Sequence, residues 1–131
     1  MVEEITQNQD AHAMEFFEDV KANWRQGDLL KERIENLSAP VLENLIDLLV
    51  LELQNRVEEQ ADTVERIGIV RGEIADLLAS EEIDEKLLGN LDNENELLVR
   101  NNREMAEYLE ELLEIKLFCV RVFLKIEKAS S

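Results

Sequence analysis

The sequence predicts an all-α protein: a long antiparallel, coiled-coil-like helical hairpin with an N-terminal helix packed across one end, a three-to-four-helix bundle. Three observations predict it. Helix breakers are scarce, with 4 Gly and 1 Pro in 131 residues, and such a composition favours long helices with few turns. Apolar residues recur at spacings of three and four through most of the chain. Clear boundary signals fall only near 27–28, 38–40 and 80–93.

Residues 1–8 are polar and are expected to fray. A first helix follows over about 9–26, with Ala13, Phe16, Phe17, Val20 and Trp24 on one face. Gly27 suits its C-cap, and Asp28 suits the N-cap of a short helix over 29–37 carrying Leu30, Ile34 and Leu37. Ser38 and Pro40 mark the next start, since proline in a first turn loses no helical hydrogen bond. From there a helix is expected over 40–78. Its seam is Leu42, Ile46, Leu49, Leu53, Val57, Ala61, Val64, Ile67, Ile74 and Leu78. Gly68 and Gly72 sit i, i+4 within it, as a tolerated weak point or as a place for another helix to come close. Ser80 is expected to cap a short helix over 81–88, and Gly89-Asn90 to stop it. Asn93 with Glu96 fits a capping box opening the last helix, over 93–128. An uninterrupted helix from Ser80 onward is the alternative. No linker divides the chain, so 1–131 reads as one helical domain.

The stretch LEELLEIKLFCVRVFLKIEK at 109–128 decides the architecture. It is too short and too charged for a membrane span. A polar stripe of Glu107, Glu110, Glu111, Glu114, Arg121, Lys125 and Lys128, running from upstream through the stretch, falls within an arc of about 100° at 100° per residue, which favours helix over strand. Leu91, Leu98, Met105, Leu112, Cys119 and Ile126 form one seam position, and Tyr108, Ile115 and Val122 the other. Glu94 and Asn101 also fall on that second position. Leu113, Leu117, Val120 and Leu124 make a further apolar row on another side. The stretch 41–53 has a surplus of its own in Leu48, Val50 and Leu51. A reversal at 79–92 places Leu45 near Lys125 and Leu53 near Leu117, so both surpluses share one end. The first helix is expected to fold across that end. Whether it covers both faces, or a second chain is needed, decides between a monomeric bundle and an assembly.

Chemistry is mostly absent from the sequence. His12 is the only histidine, with no Cys or His at metal-ligand spacing and no nucleophile beside it. No Glu-x-x-His pair supports a di-metal site. DNENE at 92–96 lacks the Gly and closing Glu of a calcium loop. Cys119 lies on the inner seam and reads as a small buried hydrophobe. No catalytic, cofactor or metal site is therefore expected, and the protein is not expected to be an enzyme. A net charge of −17 repels phosphate backbones and anionic membranes. A lone cysteine and the lack of a signal-peptide pattern suggest an intracellular, cytoplasmic or nuclear, setting.

The expected function is protein–protein interaction, as a structural or adaptor subunit that self-associates or joins a helical partner chain. The contact candidates are Phe16, Phe17, Trp24, Leu48, Leu51, Leu113, Leu117, Val120 and Leu124. The alternative is a small acidic secretion or assembly chaperone holding a partner segment in an apolar groove. Small size, a pI near 4.3 and a helical hairpin are shared with bacterial flagellar and type III export chaperones, a likeness of overall character that no motif carries.

Overall fold

Helix start and stop chemistry divides the described residues into four helices. The computed structural model describes residues 14–26 and 28–130, and all regular structure among them is helical. The expected helix start near Gln9, the frayed 1–8, His12 and the Gly27 cap lie outside the described residues. Helix α1 occupies 14–23 and tightens into a 3-10 turn at Trp24–Gln26. Helix α2 is Asp28–Glu35, α3 is Ala39–Ala79 and α4 is Glu85–Ser130. The Ser38 carbonyl accepts the first α3 bond from Leu42 N–H at 2.9 Å, leaving Pro40 in the first turn, where it breaks no bond. Helices α3 and α4 pack against each other as a hairpin.

The reversal is shorter than the sequence suggests. At Ser80 the hydroxyl lies 2.6 Å from the Leu77 carbonyl and 2.9 Å from that of Glu82, closing the end of α3. The cap of α4 is Asp84, whose Oδ1 accepts from Leu87 N–H at 3.1 Å and whose carbonyl accepts from Leu88 N–H at 2.9 Å. Glu85 in the first turn adds a favourable charge at the helix N-terminus. There is no separate helix over 81–88, no stop at Gly89-Asn90 and no capping box at Asn93 and Glu96. A glycine inside a helix costs only about 1 kcal/mol, and the surrounding turns recover more. Leu91 is buried, and Arg66 donates to Glu94 Oε1 through Nε at 3.0 Å and Nη2 at 2.7 Å.

That pair also resets the register. Arg66 faces Glu94, whereas a reversal spread over 79–92 would have set it against about residue 104. Arg56 over the Tyr108 ring, at 5.7 Å, agrees with the tighter turn.

The chain forms two compact units, one of the residues up to Gln54 with those from Glu110 on, the other Asn55–Leu109. In the first, Val20, Ile34, Leu42, Leu45, Leu49, Leu112, Ile115 and Cys119 are fully buried, with Phe16, Phe17, Leu30 and Val122 around them. All four helices contribute. Ion pairs tie α1 to the other three: Asp19–Arg33 at 2.7 Å to α2, Lys21–Glu52 at 3.7 Å to α3, and Arg25–Glu111 at 3.4 Å to α4.

The second unit is a two-helix hairpin whose buried apolar residues are Ile67, Val70 and Leu91. Here the α3 seam departs from expectation. Val57, Ala61 and Val64 are exposed, while Arg56, Gln60 and Thr63 are half-buried one position earlier. Two rows one residue apart both have helical spacing, and the partner helix selects the amphipathic one, whose long stems cover apolar surface. On α4 the inward polar residue is Asn102, not Asn101, which is exposed. The Asn102 Oδ1 is buried without a hydrogen-bond partner.

Candidate protein-interaction surface

The candidate surface belongs to the first unit. Phe16 and Phe17, expected at a contact with another chain, are instead core residues; Phe17 retains 3% exposure. Lys21 lies over the Phe17 ring at 4.2 Å and Arg33 over the Phe16 ring at 4.7 Å, so cations of the chain itself close the aromatic edge. Trp24 is half-buried and meets Phe118 edge to face, with centroids 5.8 Å apart and planes at 62°. Lys31 sits 5.6 Å from the Trp24 ring and 5.9 Å from that of Phe118. Trp24 therefore anchors α1 to α4 inside this chain. Leu48 is half-buried as well. Leu51 is exposed, but it stands alone between Asp47 and Asn55, one turn to either side and both exposed.

The remaining four form a continuous row. Leu113, Leu117 and Leu124 are 47%, 47% and 57% exposed, and Val120 is half-buried beside them. Their spacing of four, three and four is that of a heptad seam, about 16 Å long at 1.5 Å per residue. Helix α1 approaches α4 on the side of Glu111 and Phe118. That side is roughly 140° round the helix from the row at 100° per residue. So α1 leaves the surplus on α4 uncovered, while on α3 Leu48 and Val50 are half-buried and Leu51 is exposed.

The seam of α4 that faces inward holds Leu112, Ile115, Cys119 and Val122, all buried. Burial pushes the Cys119 thiol up to about 12, far from the range of a reactive thiolate. Among the described residues no group of three His, Cys, Asp or Glu side chains converges as a metal would require. DNENE lies inside α4, with Glu94 held by Arg66. Among the described residues no helix is long and apolar enough to cross a membrane.

Fold and surface together define an all-α helical hairpin protein with an exposed heptad row on α4. No family model, curated protein or solved structure matches the chain.

A further feature of the row escapes hydropathy patterning. The flanking polar stripe is segregated by sign: Glu110 and Glu114 border its first half, and Arg121 and Lys125 its second. All four are exposed. Among the described residues none of them takes part in an ion pair. The sign order along the stripe, rather than its mere polarity, is the sequence signal for this.

Proposed function

We propose that the protein is a non-enzymatic helical interaction module, a structural or adaptor subunit that binds another helix along Leu113, Leu117, Val120 and Leu124. One observation carries this reading: α4 presents two apolar seams, and the described residues cover only one. Fully burying a leucine contributes about 1.5–3 kcal/mol relative to leaving it in water, so a regular heptad row of half-exposed leucines favours a partner. A lone buried cysteine suits work in a reducing compartment inside the cell.

The test compares the wild-type chain, immobilised, with a variant carrying Leu117→Glu and Leu124→Glu. Because both leucines are exposed, the variant should keep the helical circular dichroism and melting temperature of the wild type. It should lose the bound chains, whether copies of itself or other proteins, that the wild type retains. Equal retention by both would refute the reading.

A further inference from the structure

We infer that the α4 row is a self-association surface, closed by a second copy of this chain running antiparallel, with Leu113 opposite Leu124 and Leu117 opposite Val120. The inference rests on the proposed role of the row and names its occupant from the charges beside it.

In an antiparallel pair each flank of a helix faces the same flank of its mate. At this register Glu114 lies level with residue 123 of the other copy, within about 3 Å along the axis of both Arg121 and Lys125 at 1.5 Å per residue. Glu110 falls as close to Lys125. Two-fold symmetry makes each of these pairs twice, so the acidic half of each stripe meets the basic half of the other.

A parallel pair gives the opposite result. Opposite flanks then face each other, and Lys116 of one copy approaches Arg121 of the other. Sliding one helix by a heptad to pair opposite signs would leave half of the apolar row uncovered.

Within one chain the arrangement is unfavourable on its own. Glu110 and Glu114 are like charges at i, i+4, as are Arg121 and Lys125, and such pairs weaken a helix by a few tenths of a kcal/mol. An antiparallel copy sets opposite charge beside each. The basic half of the stripe also gives an overall acidic chain, with net charge −17, one place where another copy is attracted.

Four apolar residues per chain make a small interface, so the dimer forms in the micromolar range or weaker. Sedimentation equilibrium on the full chain, up to about 200 µM, tests it through charge reversal. Arg121→Glu alone, which turns two attractions into repulsions, should weaken dimerisation about tenfold, and Glu114→Lys alone, which turns four, by at least as much. The double variant E114K/R121E restores opposite signs between positions 114 and 121 across the two-fold axis, leaves Lys125 against the new charge at 114, and should dimerise at least about threefold more tightly than Glu114→Lys alone. Circular dichroism confirms that all three variants are folded.

A wild type that stays monomeric throughout overturns the inference. So does a dimer indifferent to Leu117→Glu, or a double variant no better than the worse single one. If the wild type is monomeric but the row still retains a different protein, the interaction module stands and only the second copy falls.

Discussion

Asp19 shows how much a single surface residue can organise. Its carboxylate accepts from Arg33 at 2.7 Å and from the Asn23 amide at 2.8 Å. These bonds, the one from Arg33 first, hold its pKa below the usual value of 3.8. A carboxyl whose pKa is depressed on folding contributes stability that is present above its unfolded value and lost as pH falls through the folded one. The stability difference between wild type and Asp19→Asn should therefore be constant above about pH 5 and shrink as pH drops below about 4. Denaturant melts across that range check it; a difference that does not depend on pH would rule out the ion pair as its source. Asn102 makes the opposite case. Its buried Oδ1 has no partner, and an unsatisfied buried polar atom costs about 1–3 kcal/mol. Asn102→Leu should raise stability by about 1 kcal/mol, read from the denaturation midpoint at unchanged slope.

Helices α3 and α4 are long because almost nothing in them ends a helix, and the glycines show how weak an internal breaker is. A methyl group added at Gly68 or Gly72 would meet nothing within 4 Å. No helix among the described residues uses their smallness for a close approach, so the reading of a tolerated weak point holds within one chain. Gly68→Ala and Gly72→Ala should each stabilise the protein by up to about 1 kcal/mol, measured by thermal melting. A loss of stability at either position would show that another backbone lies against it. The end of a helix depends on finer chemistry. In the sequence Ser80, Gly89 and Asn93 read as the punctuation, and Asp84 does not stand out. Asp84 is the start because it lies where its carboxylate reaches the Leu87 N–H.

At the scale of the molecule, charge opposes packing. With 31 acidic against 14 basic residues, the folded chain repels itself, and added salt screens that repulsion over a Debye length of about 10 Å at 0.1 M. Melting temperature should rise between about 10 mM and 0.3 M sodium chloride, followed at low micromolar protein. A fall would mean that ion pairs such as Arg25–Glu111 and Lys21–Glu52 contribute more than the general repulsion removes. The two units differ in what holds them. Around 14–54 and 110–130 four helices enclose a continuous apolar core, whereas 55–109 buries three apolar residues and adds a cross-helix Arg66–Glu94 pair.

Much of this was legible in the sequence. Helical class, hairpin topology, the inward seam through Leu112 and Cys119 and the existence of a second apolar row at Leu113, Leu117, Val120 and Leu124 follow from period and composition. The two rows depend only on residues close together on one helix, whereas the exposure of the second depends on where α1 lies. The burial of Phe16 and Phe17, the choice of Arg56 and Thr63 over Val57 and Val64 as inward positions, and the burial of Asn102 rather than Asn101 were decided by the tertiary structure. The physical reason is common to all three. A helical period says which residues share a face, but which face is covered depends on where another helix lies. For α3 and α4 between 55 and 109 that place is set by the five residues from Ser80 to Asp84, which fix the register of one helix against the other.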